Sequence, residues 1–178
     1  MADTNKQFDK AIADCRNIFE KKLKDYGASW RIMRPSSITD QIFIKAKRIR
    51  TLETKGHAMV NEGILPELRA IVNYGIIGLI QLELGCVDEV DIDAADALNL
   101  YDKYARITTD LMKAKNHDYD EAWRWMRVPS YTDFILTKVQ RAKQIEDNDG
   151  TTIISEGIDA NYMDMVNYAV FGIIKLTE

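Results

Sequence analysis

The sequence predicts an all-α protein built from two copies of one three-helix module that pack as a pseudo-twofold helical bundle. Three observations carry this. The chain matches itself at a shift of 93 residues. Its apolar residues recur at helical spacing, and no segment shows the period-two alternation of a half-buried strand.

The self-match runs through polar and apolar positions alike. Asp9, Lys10, Lys22, Asp25, Tyr26, Trp30 and Arg31 fall on Asp102, Lys103, Lys115, Asp118, Tyr119, Trp123 and Arg124. Met33, Arg34, Ser37, Thr39, Asp40, Ile42, Lys45, Arg48 and Glu53 then fall on Met126, Arg127, Ser130, Thr132, Asp133, Ile135, Lys138, Arg141 and Glu146. One residue is inserted near Gly150, after which Glu62, Gly63 and Ile64 meet Glu156, Gly157 and Ile158, and Val72, Asn73, Tyr74 and Gly78 meet Val166, Asn167, Tyr168 and Gly172. The modules are residues 1–84 and 94–178, joined by a linker over 85–93 in which Gly85 stops one helix and Asp93 caps the next.

Helix one is predicted over Thr4 to Lys24, where Phe8, Ala11, Ile12, Cys15, Ile18, Phe19 and Leu23 form an apolar stripe, and Tyr101 to Met112 repeats it. A loop over Asp25 to Ser37 follows, with Gly27 and Pro35, and Ser37 or Thr39 is the expected cap of helix two, which runs to about Thr54. Helix three is predicted from about Asn61 to Leu84, with Pro66 near its start, where a missing amide costs least. Gly75 and Gly78, with Ala169 and Gly172 in the other copy, let helix three approach a neighbour closely.

Composition excludes several function classes. With 46% apolar residues the 178-residue chain buries a real core. The net charge of −4, from 24 basic and 28 acidic residues spread along the chain, leaves no polybasic tract for duplex nucleic acid or an anionic membrane. The longest apolar stretch, Ala70 to Ile80, contains Asn73 and is too short to span a bilayer, and the polar start, Met1 to Gln7, is not a signal peptide. Two cysteines, Cys15 and Cys86, lack metal or disulfide-scaffold spacing, which fits a reducing cytoplasm. His57 and His117 are the only histidines, too few for a histidine-rich zinc site.

The residues that can carry chemistry lie in three places. In helix two, Lys45 and Glu53, with Lys138 and Glu146 in the second copy, project into the apolar face, either as structural ion pairs or as groups that meet a charged ligand. In helix three, Glu62, Glu67, Asn73 and Tyr74 share one side. Asn73 and Asn167 lie in apolar surroundings and must be hydrogen-bonded, as helix-to-helix ties or as ligand contacts. Carboxylates at such spacings hold hard divalent cations, so Glu53, Glu62, Glu67, Glu146, Glu156 and Asp164 are candidate Mg²⁺ ligands. The second copy is favoured, through Glu156 and Asp164 with Glu146.

The third place is the loop. Asp25, Tyr26, Trp30, Arg31 and Arg34, repeated as Asp118, Tyr119, Trp123, Arg124 and Arg127, combine aromatic faces that stack on bases with guanidinium groups that grip phosphate. A clamp of this kind places Trp30 and Trp123 beside the polar side of helix three, near Lys45 or Lys138, with Arg48 and Arg141 at hand. The alternative is an aromatic plug that closes the bundle end, with arginines capping helix carbonyls.

At these residues the sequence resembles the nucleotide modification associated domain 1 family, across both halves: the Lys-rich end of helix one, the Asp-Tyr and Trp loop, the Asp, Lys and Arg of helix two, and the acidic start and Asn-Tyr of helix three. The resemblance implies an all-α domain connected with nucleotide or base modification, and no particular reaction. A more distant similarity is to MazG-type nucleoside triphosphate pyrophosphohydrolases, all-α enzymes in which acidic helices hold magnesium. Their Glu-x-x-Asp pair is split here, because the first half has Glu67 but Ala70 and the second has Asn161 but Asp164. Three functions follow: a Mg²⁺-dependent enzyme acting on a free nucleotide, a non-catalytic nucleotide sensor, and a helical interaction scaffold. The split pair favours the sensor over the enzyme. An internal duplication can replace a homodimer or assemble further, so a homo-oligomer stays open.

Overall fold

The structure is a computed structural model and describes residues 3–56, 63–153 and 156–178. Among these residues every regular element is helical. In the first half α1 (Thr4–Tyr26), a single 3-10 turn (Ser29–Ile32), α2 (Pro35–Lys55) and α3 (Ile64–Leu84) follow one another. In the second, α4 (Ala94–Tyr119), a 3-10 turn (Ala122–Trp125), α5 (Val128–Asp147) and α6 (Ile158–Thr177) repeat the order. The 3-10 turns, α2 with α5, and α3 with α6 begin at residues that correspond in the internal register.

Capping explains most boundaries. The Asp3 side chain accepts from the Lys6 amide at 3.2 Å, and Asp93 accepts from Asp96 at 2.8 Å, so each half opens on an aspartate cap. α1 runs on through Asp25 and Tyr26 and stops at Gly27, whose φ of 68° ends the helix. The Asp-Tyr motif is therefore the last turn of α1, not loop. α2 starts at Pro35 rather than after Ser37 or Thr39, because proline is pre-set for the first helical position and leaves no amide to satisfy. Thr39, freed from capping, contacts the Tyr162 hydroxyl at 2.7 Å. α3 starts at Ile64, with Pro66 in its first turn; Asn61 and Glu62 lie outside the described residues.

The central pair is α3 and α6, apolar nearly all round: Leu68, Ile71, Val72, Ile76 and Ile80 of one meet a buried set including Tyr162, Met165, Val166 and Val170 of the other. α2 and α5 pack on this pair and on each other, while α1 and α4 flank it. α1 touches α6 and α4 touches α3, so each helix one packs against both central helices. The α2–α5 seam is tied by Arg50 to Asp133 at 2.6 Å and by Lys143 to Asp40 at 3.3 Å, two pairs that exchange under the internal register.

Close approach in the centre rests on glycine. A Cβ on Gly75 would lie 2.5 Å from Val166 Cγ2 and one on Gly78 2.8 Å from the Tyr162 ring, whereas one on Gly172 would meet Leu68 Cδ1 at 3.2 Å. Overpacking costs about 1–3 kcal/mol, set against the roughly 1 kcal/mol that alanine gains over glycine inside a helix. Gly75→Ala meets a stiff valine and is expected to lose stability in urea denaturation, while Gly172→Ala, facing a leucine end that can give, is expected to hold or gain. Equal midpoints for the two variants would contradict this account of the α3–α6 contact.

Candidate functional site

In the first half, α1 (Lys22, Tyr26), α3 (Ala70, Asn73, Tyr74, Ile77) and Trp30 of the 3-10 turn border one space. The space left is a cavity of about 590 Å³. In the second half, Lys115, Tyr119, Trp123, Asp164, Asn167, Tyr168 and Phe171, the residues at the same register positions, line a cavity of about 90 Å³. Both tryptophans are buried, at 8% and 5% exposure, and the indole N–H of each lacks an acceptor in the protein.

The two cavities differ through the placement of one acid. In the second half Asp164, 4% exposed, receives Lys115 at 2.7 Å and Lys138 at 2.9 Å, bridging helix one and helix two. Burial pulls the Lys115 ammonium down, but the bond and charge of Asp164 outweigh it and leave it above its ordinary range. In the first half the Asp164 position is Ala70, and the acid sits one turn earlier as Glu67. There it takes Arg48 at 2.9 Å and Lys45 at 3.5 Å and does not pair with helix one. Among the described residues no carboxylate pairs with Lys22. The split of the Glu-x-x-Asp pattern thus has a structural meaning: each half keeps one acid for its helix-two lysine, and only the second half's acid also neutralises the lysine of helix one.

Further substitutions widen the first cavity and make it more basic. Arg69, where the second half has Met163, lines it, and its buried Nε has no partner in the protein. Ile77 replaces Phe171, which stacks on Trp123 with centroids 4.4 Å apart and planes 8° off parallel. Tyr26 is 58% exposed at the mouth and Tyr74 is half-buried, with burial holding its hydroxyl above the usual tyrosine range.

The remaining sequence-selected residues divide between these cavities and the scaffold. Of the two roles open to Asn73, the structure adopts the tie: its amide donates to the Cys15 carbonyl at 3.0 Å and accepts from the Tyr101 hydroxyl at 2.7 Å. Asn167 donates to Thr108 at 3.4 Å, but Phe8 occupies the position of Tyr101 and brings no hydroxyl, so its Oδ1 is buried without a partner. Arg31, 2% exposed, lines neither cavity; it bonds Gln81, the Gly85 carbonyl at 2.6 Å and Asp91 at 2.9 Å, as the capping alternative expects. Arg124 meets side chains rather than helix carbonyls: it binds Thr4 and Gln7, each at 2.7 Å, and lies over the Trp123 ring. Arg34 and Arg127 are exposed at the starts of α2 and α5, and Asp25 and Asp118 are exposed on α1 and α4. Lys45 and Lys138 do not line the tryptophan cavities. Lys138 and exposed Arg141 instead border an open groove with Glu156 on the α5–α6 side.

The candidate metal ligands are not gathered. Glu67 and Asp164 each hold two cations, and Glu156 is exposed. Glu53 and Glu146 lie in the α2–α5 seam, accepting from Thr132 at 3.3 Å and Thr39 at 3.2 Å, with burial raising both above the usual carboxylate range. Glu62 lies outside the described residues. Among the described residues no three of Asp, Glu, His and Cys converge. Sequence reasoning passed over Lys22, Lys115 and Arg69 as site residues. The retention of lysine at both 22 and 115 was a signal for the first two; nothing periodic marks Arg69, which occurs in one half only.

Among the described residues no helix is long and apolar enough to cross a membrane. No curated protein and no solved structure matches the chain. A family model described as nucleotide modification associated domain 1 matches residues 22–82 and again 115–176, so that each match opens on the helix-one lysine of a cavity. Two matched segments spanning well over half of the 178 residues, each holding the lysine, the tryptophan turn and the Asn-Tyr of helix three, place the chain in the nucleotide modification associated domain 1 family as a tandem pair.

Proposed function

We propose that this protein binds a free nucleotide in the first-half cavity, with the base among Trp30, Tyr26 and Tyr74 and the phosphate at Lys22 and Arg69. One observation carries the reading: Lys22 lines the cavity and, among the described residues, no carboxylate pairs with it, while the same lysine in the second half is neutralised by Asp164. Asp164 marks where an anion sits against a helix-one lysine, and in the first half that place is left open by Ala70. The volume of about 590 Å³ suits a nucleotide-sized ligand, and ligand sites are characteristically concave and apolar with a few placed polar groups. The unpartnered indole N–H of Trp30 and the Arg69 guanidinium are donors, matching an acceptor-rich ligand. Four of the six carboxylates that could hold magnesium, Glu53, Glu67, Glu146 and Asp164, are engaged with lysine, arginine or threonine. The reading is accordingly a binding or sensing module in nucleotide metabolism or base modification, rather than a pyrophosphohydrolase.

Titration calorimetry with nucleoside mono-, di- and triphosphates, with and without Mg²⁺, tests it. Parent protein is expected to bind at least one of them, and Lys22→Ala to bind about tenfold or more weakly, since hydrogen bonds to charged groups contribute about 1.5–3 kcal/mol. Lys115→Ala should leave the affinity unchanged. Absence of binding by the parent across the whole panel, or a loss that follows Lys115 instead of Lys22, would remove this function.

A further inference from the structure

We propose that the second cavity is a phosphate site held shut by its own carboxylate, so that the chain carries one open anion site and one latent one; the comparison rests on reading the first cavity as a phosphate site. The Asp164 carboxylate bridges two ammonium groups from different helices, Lys115 at 2.7 Å and Lys138 at 2.9 Å, while 4% exposed. That is the arrangement in which two oxygens of a bound phosphate are held. A second observation is independent of the ion pairs. Trp123 Nε1 is buried without a partner, on a residue 5% exposed that lines the same cavity. Buried polar atoms are normally satisfied, and an orphaned donor in a cavity that also holds the Lys115 ammonium points to a missing acceptor. Phosphate is such an acceptor: its oxygens take the Lys115 ammonium and the indole N–H.

The size of the cavity sets the ligand class. With about 90 Å³ and Phe171 stacked on Trp123, it takes a phosphate but not a base. Inorganic phosphate, or the terminal phosphate of a small phosphoester, is therefore the chemistry it fits once Asp164 is withdrawn. Asp164 plays the anion's part in the resting fold, and its removal exposes a site that the first half has open by default.

The test is the stoichiometry of inorganic phosphate binding to the full chain, by titration calorimetry, for the parent, Asp164→Ala, and the double variant Asn161→Glu with Asp164→Ala. The double variant moves the acid back one turn, as in the first half. It leaves Lys138 a partner while freeing Lys115, so it keeps a neutral core if the single variant fails to fold. The expected result is one equivalent more than the parent binds, abolished by adding Lys115→Ala. Unchanged stoichiometry in the folded double variant overturns the proposal. The two readings fail separately: the nucleotide panel decides the first-cavity function, and a folded double variant that binds no more phosphate than the parent sinks only the latent site.

Discussion

Arg31→Ala is expected to destabilise the fold by about 2–3 kcal/mol, a sizeable fraction of a stability that is typically about 5–15 kcal/mol. The arginine is 2% exposed and joins the tryptophan turn to Gln81, to the Gly85 carbonyl that ends α3 and to Asp91. Gln81 in turn donates to the carbonyls of Arg31 at 2.9 Å and Met33 at 2.7 Å, so one deletion loosens the turn, the end of α3 and the following linker together. Of the acceptors left behind, Gln81 is buried, and an unsatisfied buried acceptor costs about 1–3 kcal/mol, whereas Asp91 is 47% exposed and regains water. Lysine should not rescue it, because a single ammonium cannot reproduce the planar fork that reaches three partners. Arg124→Ala is the control: its partners Glu121 and Glu178 are 38% and 44% exposed, and water replaces part of what it loses. Urea denaturation followed by circular dichroism measures both; a loss under about 1 kcal/mol for Arg31→Ala would show that the turn is held by packing alone.

Ala70→Asp should abolish ligand binding in the first half. It installs the second half's acid opposite Lys22, and a buried or partly buried carboxylate captures an ammonium more effectively than a dilute ligand can. A fall of at least about tenfold, and on the order of a hundredfold where the captured pair excludes phosphate altogether, follows from losing one charged contact and adding one repulsion. Ala70→Ser adds volume without charge and separates crowding from electrostatics. The fold should tolerate the aspartate, since the other copy accommodates one at this position. Parent-like nucleotide affinity in Ala70→Asp would dissociate Lys22 from the phosphate end, whatever else binds there.

Much of the architecture was legible because the chain contains its own comparison. The register that pairs Trp30 with Trp123 and Asn73 with Asn167 also aligns the starts of the 3-10 turns and of the second and third helices. Helix starts were less legible where two signals compete: Ser37 and Thr39 are good caps, but Pro35 precedes them and claims the first position. The site was harder still. An arginine that grips phosphate and one that caps a helix carbonyl use the same fork, so Arg31 and Arg124 could not be told from ligand contacts until Gln81, Gly85, Thr4 and Gln7 were seen against them. Glu53 and Asp164 are both candidate metal ligands in the sequence, yet one faces Thr132 across the α2–α5 seam and the other Lys115 of α4. The one-turn shift of the acid between halves was visible as a broken motif. Its consequence, a helix-one lysine that no carboxylate meets among the described residues, depends on which lysine each position reaches, and that is set by helix packing.

The contact of Gly75 and Gly78 with Val166 and Tyr162 also governs the order of events during synthesis. α3 is apolar on nearly every side and finds its principal cover in α6, which is made after it. At the roughly 5–20 residues per second of a translating ribosome, the first module emerges with its central helix uncovered for on the order of ten seconds before its partner follows. A nascent chain arrested between the modules should accordingly be protease-sensitive and bind hydrophobic dyes, and should become resistant only when α6 has cleared the exit tunnel.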